Sequence, residues 1–549
     1  LYYVLMLIFD DYKEIILKRL RELYPDISQN DVELGRDYGD FTLKIFKLKE
    51  DPKIILKKIK ENLSEDFIER IDLQGNYINF FIRPENMLGI IYNSIKDFGY
   101  FPNTFQDTSK VLIEHTSANP TGPIHVGRIR NSIIGDSIYK ILERYGYRSC
   151  TQYFVNDSGK QVISLYLGHV KYHKNEKPDL QNLLDGYQRI YREMETNKSI
   201  ENEIEALAER YEKGDKELID NIQHVASIVL DSVKSSLKKI GIEISTYVWE
   251  SNFILYGDVN KMLESISENL KSEGSAKYIE IGDKKIFLTR ADGTSLYFSR
   301  DIVYHLFKQE NFDWLVDVLG EDHKDHAKNL EYVLKTFFDF QSKIDFVFYG
   351  FVSLENGKMS TRKGRIVTLD DLYEKTIEES VKIIKEKRPD YDENLIKNVS
   401  EAIAASSIRF NIVRVNANKP IVFKWSEALN FEGDSAPYIM YSYARACSVL
   451  RKSSKSGGEL GNDYNKYEKD LIRVMYSYPY SLKSAVEFLR PDIIANYLLN
   501  LSKAFNEFYL NCPVINTPEE SKRILLIMVY KNIMEDASKL IGIKLLDEI

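Results

Sequence analysis

Apolar positions along the chain change their period several times, and each change marks a new element. Ile15, Ile16, Leu17 and Leu20 recur at helical spacing. IERIDLQGNYINFFI then alternates every second residue about Gly75-Asn76, which predicts two strands joined by a tight turn. A β-branched run, Val111 to Ile113, stops at Glu114 and gives way to a loop punctuated by Pro and Gly. Beyond it Ile129, Ile133, Ile134, Ile138 and Leu142 share one face of a helix opening near His125. SCTQYFVNDSGKQV predicts a second strand and loop, and residues 171–243 are long, polar and helical without a motif. A Gly-Asp hairpin in YIEIGDKKIF, a helix at FSRDIVYHL and apolar strands at WLVDVLG and IDFVFYGFVSL follow. From residue 365 the pattern is almost wholly helical, broken at Pro389, at IVFKWSE and at GGELGND.

Composition narrows the class. A chain of 549 residues exceeds one hydrophobic core, and 44% hydrophobic with 29% charged residues is a folded composition. The net charge of −8 argues against indiscriminate coating of nucleic acid and leaves a local RNA face open. Cys150, Cys447 and Cys512 form no metal-spaced pair and no disulfide framework, so no structural zinc and a reducing cytoplasm are expected. LYYVLMLIF is too short to span a bilayer and meets Asp10 and Asp11 at once, so no membrane partner is expected.

Candidate chemistry gathers at loops. The helix near His125 starts with unpaired amides and a positive dipole end, where a polyanion can sit. No Gly-Lys-Ser/Thr follows, and there is no GxGxxG. Instead His125 supplies a ring donor, Gly127 removes a side chain from the helix start, and Arg128 adds a permanent cation. Far downstream Lys358-Met359-Ser360-Thr361-Arg362-Lys363-Gly364 packs three cations and hydroxyls into a short loop, which suits a triphosphate or, alternatively, a solvated basic turn. Glu114 could take a bidentate bond from a guanidinium, or pair with Arg128 or Arg130. Tyr297 and Asp301 stand four apart on one helical face and could bracket a guanidinium, unless Asp301 merely serves the helix start. Asp322 and His323 follow an apolar strand, at the strand ends where α/β sheets place their sites, and with Asp325 and His326 they also admit a metal reading. The run Lys53, Lys57, Lys58, Lys60 is a solvated face or an RNA contact, and APYIMYSYARACSVLRK is a core helix or an RNA platform.

Glu114 through Ser132, taken with KMSTRKG, resemble the arginyl members of the class I aminoacyl-tRNA synthetases, over nearly the whole chain. That family's signatures are a His-x-Gly-His tetrad and a Lys-Met-Ser-Lys-Ser loop. Here Arg128 stands for the second His, and Thr361, followed by Arg362 and Lys363, for the second Lys. Some arginyl enzymes without that Lys carry another just before the tetrad, where this chain has Gly122 and Pro123.

The resemblance implies a multidomain α/β protein. Residues 1–102 would be an additional α+β domain touching the outer corner of tRNA. Residues 103–364 would be a Rossmann-like parallel-sheet catalytic core with a helical insertion at about 171–243. A helical connection, 365–430, and an all-α anticodon-binding bundle, 431–549, would follow. It implies L-arginine held by Glu114, Thr116, Asn119, Tyr297, Asp301 and Asp322. ATP, with Mg²⁺, would lie against His125, Gly127, Arg128, Lys358, Met359 and Ser360. Catalysis would fall to His125, Lys358, Arg128 and Lys363, with tRNA(Arg) as partner and a monomer as the working unit. The residues alone leave three rivals: another class I synthetase of the cysteinyl or glutamyl kind, a non-catalytic tRNA-binding relative, and a small nucleotidyltransferase.

Overall fold

The computed structural model describes residues 2–35, 39–98, 108–354, 367–455 and 457–549. The chain divides into two compact units, one made of Leu1–Gln106, Arg144–Gly146 and Leu429–Ile549, the other of Asp107–Glu143 and Tyr147–Ala428.

In the first unit an antiparallel sheet runs in the order Val32–Leu34, Phe41–Lys44, Tyr77–Ile82, Ile68–Gln74. The last two strands form the hairpin expected at Gly75-Asn76, with Gly75 at φ 58°, a conformation that suits glycine. Five helices make up the carboxyl-terminal part: Ala436–Lys452, Lys466–Tyr476, Tyr478–Glu487, Asp492–Asn511 and Glu520–Ile541. The two sequence-distant parts meet through Arg473, 3.0 Å from the buried Asp40, and Lys469, 3.0 Å from Glu69. The aromatic helix Ala436–Lys452 serves two ends at once. Ile439, Met440 and Tyr443 are buried, while Arg445 lies over the rings of Tyr441 and Tyr509 on the opposite, wetter face.

The second unit holds a five-stranded sheet, parallel throughout, in the order Lys343–Tyr349, Trp314–Gly320, Lys110–Glu114, Arg148–Val155, Thr246–Trp249. The chain builds the sheet outward from Lys110–Glu114 in one direction, then returns to add Trp314–Gly320 and Lys343–Tyr349 on the other side. The reversal leaves a crevice at the carboxyl end of Lys110–Glu114, the place where open α/β sheets bind ligands. Val111, Leu112 and Ile113 are buried on both faces, as a central parallel strand requires.

IDFVFYGFVSL, read as one strand, is two. Lys343–Tyr349 ends before Gly350, and Val352–Leu354 leaves the sheet to pair in parallel with Ile421–Phe423. The stretch 171–243 carries the helices Leu180–Met194, Lys198–Glu212 and Lys216–Lys239, packed on Lys160–Tyr172. Helices Lys160–Tyr172 and Leu180–Met194 touch at Gly168 and Gly186, where a Cβ on either would come within 2.7 Å of the other's backbone. Only glycine fits there.

Candidate active site

The crevice is lined from three strand ends and two helix starts. Lys110–Glu114 ends in an abrupt turn with Thr116 at φ 72° and Ser117 at φ 30°. A β-branched residue in that region is strained, at a cost of roughly 1–3 kcal/mol, and persists only when its surroundings over-determine it. They do. The Thr116 amide donates to Asn131 Oδ1 at 2.7 Å, and its hydroxyl to Ser132 Oγ at 2.8 Å. Both partners sit on Val126–Tyr145, the helix after the tetrad. That helix comes so close that a Cβ on Gly135 would stand 2.3 Å from His115. Thr116, expected as an arginine contact, is buried, with its hydroxyl bonded to Ser132.

Glu114, the last residue of the strand before that turn, is half-buried. It pairs with neither Arg128 nor Arg130, but with Lys308. The Lys308 ammonium is 2.6 Å from Glu114 Oε2 and 2.8 Å from Asp317 Oδ1. Asp317 stands in register with Glu114 on the neighbouring strand, so one lysine spans two strand ends. Burial works against the charge on Lys308, and the two carboxylates outweigh it and hold its pKa above the ordinary lysine value. His305 closes the group through Nε2 at 2.7 Å from Asp317 Oδ2, and Ser117 donates to Glu114 Oε1 at 2.9 Å. Lys308 and His305 belong to the helix Tyr297–Gln309, which brings Tyr297 and Asp301 to the crevice.

Tyr297 is 52% exposed at the first position of that helix, its ring 5.0 Å from the Arg300 guanidinium. Asp301 Oδ2 lies 2.6 Å from His326 Nε2, and this hydrogen bond raises the imidazole's pKa against an opposing effect of burial. His326 is thereby committed to Asp301, and among the described residues no cluster of three His, Cys, Asp or Glu side chains converges to hold a metal. Asp322 sits in a one-turn helix after Gly320, exposed, 3.8 Å from His323. Asn119 Nδ2 donates to Gln161 Oε1 at 3.1 Å.

On the opposite lip, His125 directly precedes Val126–Tyr145, with Gly127 half-buried and Arg128 exposed at its first turn. Burial first, and Arg128 second, push the His125 pKa down, so its ring is a neutral hydrogen-bond donor at pH 7. Burial pushes the pKa of the Tyr349 hydroxyl, at the end of Lys343–Tyr349, above its ordinary value. Lys358, Met359, Ser360 and Lys363 lie outside the described residues. The described residues just after them are at the site: Val126 N donates to Val367 O at 3.0 Å and Leu369 N to Ile124 O at 2.8 Å, with Thr368 opposite His125.

Sequence reasoning missed Lys308, Asp317 and His305. The signal was a lone acid inside the apolar strand WLVDVLG and a lysine seven residues after Asp301 on the same helix. Arg130 was considered only as a partner for Glu114. It is fully buried and donates to Gly350 O at 2.7 Å and Asn416 O at 3.0 Å, tying the tetrad helix to the strand break.

A parallel sheet reversing beside a His-x-Gly tetrad, with acids across the crevice, defines a class I aminoacyl-tRNA synthetase core, and the family model for "tRNA synthetases class I (R), catalytic domain" matches residues 95–425. The model for the arginyl tRNA synthetase N terminal domain matches residues 10–82, and the DALR anticodon binding domain 439–549. An arginine–tRNA ligase of Thermoplasma acidophilum is 49% identical over 99% of this chain and 100% of its own length; one of Archaeoglobus fulgidus is 36% identical over 91% and 92%. The chain belongs to the arginyl-tRNA synthetase family. In fold it is similar to the arginyl-tRNA synthetase structure from Thermus thermophilus, with a TM-score of 0.84 at 23% identity over 98% of this chain and 100% of that one.

Proposed function

We infer that this enzyme activates L-arginine with ATP and transfers it to the 3′ end of tRNA(Arg). The arginine carboxylate attacks the α-phosphorus of ATP, the bond to the β-phosphate breaks, and pyrophosphate leaves arginyl-adenylate. A hydroxyl of the terminal ribose of tRNA then attacks the carbonyl carbon, and AMP departs. ATP enters as its Mg²⁺ complex, and the family's usual setting, a cytoplasmic monomer, goes with this reading.

In this reading the protein contributes alignment and charge rather than covalent chemistry. Glu114, Asp301 and Asp322 receive the guanidinium, Tyr297 stacks on it, and Asn119 holds the amino-acid end. His125, Arg128, Lys358 and Lys363 meet charge growing on the phosphates. One observation carries the two-loop arrangement: the backbone just after KMSTRKG pairs with Ile124 and Val126, on either side of His125. The acid pocket gives the test. A planar fork of five donors satisfies several carboxylates, and a point ammonium does not. With tRNA present, arginine-dependent exchange of pyrophosphate into ATP should far exceed lysine-dependent exchange, because one ammonium cannot reach the spare lone pairs of acids on separate elements. Equal exchange with both amino acids would reject this pocket.

A further inference from the structure

The helices at 180–239 carry no motif, yet one of them reaches the helix that presents Tyr297 and Asp301. Arg300, lying between those two, is 2% exposed. Its Nη1 donates to Glu212 Oε1 at 2.9 Å and to Ser158 Oγ at 2.8 Å, and its Nε is 3.0 Å from Glu250 Oε1. Ser158 in turn donates to Glu250 Oε2 at 2.6 Å. Glu212 is the last residue of Lys198–Glu212, where the helix dipole opposes a carboxylate. An acid at that end needs a cation, and among the described residues Arg300 pairs with it. Glu250 is 1% exposed, and burial pushes its pKa up to about 7 against the pull of Arg300.

We propose that Arg300, gripped by Glu212 from the insertion and by Glu250 from the core, is a positioning residue that fixes the first turn of Tyr297–Gln309, and that the insertion thereby helps determine arginine binding. The proposal rests on the arginine reading given above. The later turns of that helix are already pinned, because His305 and Lys308 both reach Asp317. The first turn has its own ties: the Leu296 amide and the Ser299 hydroxyl both donate to Leu288 O, Phe298 is buried, and His326 holds Asp301 just beyond. Arg300 is the charged tie among them and the one that reaches the insertion. Side-chain tips stand about 5–6 Å from a helix axis, so a rotation of about 20° carries Tyr297 and Asp301 by about 2 Å. Displacements of about 1 Å at a binding constellation can cost about 100-fold in rate.

The test uses full-length enzyme with tRNA(Arg) and steady-state aminoacylation. Glu212→Ala should raise the KM for arginine about ten-fold, the equivalent of one charge-assisted hydrogen bond, with the KM for ATP and kcat near wild type, since Arg300 keeps Glu250 and Ser158. Glu212→Gln, whose amide oxygen still accepts from Arg300, should hold the rise to about three-fold, a neutral hydrogen bond in place of a charged one. Glu209→Ala, exposed on the same helix and paired with Lys213, should change nothing. An unchanged arginine KM in Glu212→Ala overturns the proposal. So does a loss shared equally by arginine, ATP and tRNA together with a lowered melting temperature, which marks a purely structural role. Should Glu212→Ala fail to fold, the near-isosteric Glu212→Gln decides: a selective rise supports the clamp and an unchanged arginine KM ends it. Charging of an amino acid other than arginine by the wild-type enzyme is a separate failure, of the underlying reading, and needs no variant to be seen.

Discussion

Around Glu114 and Asp301 each carboxylate already has a partner at 2.6 Å, Lys308 for one and His326 for the other. Across the crevice, the side chains of His125 and Arg128 are paired with no acid among the described residues. The difference follows from what each lip would receive. Carboxylates clustered at the floor of a sheet repel one another and resist burial, so they stay ionised and fixed only if a cation is built in among them. Each keeps spare lone pairs, since a carboxylate accepts up to about four hydrogen bonds, and a guanidinium can use those. Phosphates bring their own charge, and a cation left unpaired at a helix start needs no rearrangement to meet them.

The most severe way to break this contrast is at Lys308. Lys308→Met leaves Glu114 and Asp317 side by side without their shared cation, and should cost about 3–5 kcal/mol of folding stability, measured by urea unfolding. A loss below about 1 kcal/mol would mean that the acids do not depend on a built-in partner. On the other lip the same kind of change should spare the fold. His125→Ala should lower the rate of arginyl-adenylate formation by about 10²–10³-fold, the loss typical of one donor aimed at developing charge. Its melting temperature and arginine KM should stay near wild type. If His125→Ala instead unfolds the protein, the two lips are not built differently.

The same contrast marks how much was legible in the chain. The His125 lip is local in sequence: strand, loop, tetrad and helix occupy residues 110–145, and their periods and punctuation predict the elements the structure shows. The acids Glu114, Asp301 and Asp322 could be named because the family resemblance assigns them; the residues alone left each with a second reading. Their cations could not, because register decides them. Asp317 meets Glu114 only when Trp314–Gly320 pairs with Lys110–Glu114, some 200 residues upstream, and a shift of one residue would turn Asp317 to the other face. Arg130 shows the same limit. On the apolar face of a helix it is an anomaly in the sequence, and its partners, the carbonyls of Gly350 and Asn416, come from backbone that no side-chain pattern announces. The break of IDFVFYGFVSL into two strands is tertiary as well, since Gly350 N is taken by Ala417 O.

Asp301→Asn is a milder probe of the acid lip. It keeps the shape and a hydrogen bond to His326 while removing the charge. The expected loss in kcat/KM for arginine is about 1.5–3 kcal/mol, with the KM for ATP unchanged. An equal loss for ATP would show that Asp301 supports the whole crevice rather than its arginine side.

The smallest effect is also the most direct test of the built-in cations, because one of them can be switched off by pH. The hydrogen bond to Asp301 raises the His326 pKa above 6.5, with burial opposing it. Below that raised value an imidazolium neutralises Asp301, and above it Asp301 faces the crevice with its charge uncompensated. The guanidinium of arginine stays protonated throughout, so its KM should fall as pH rises through that value. Fold stability should move the other way, because a histidine with a raised pKa stabilises fully below its unfolded value and loses that contribution as pH passes its folded one. His326 is about a third exposed, and solvent screening limits the change in KM to about two- to five-fold. His326→Gln, which keeps a donor to Asp301 but cannot gain a proton, should flatten both trends together. A pH profile that survives in His326→Gln would trace the titration to another group and detach His326 from arginine binding.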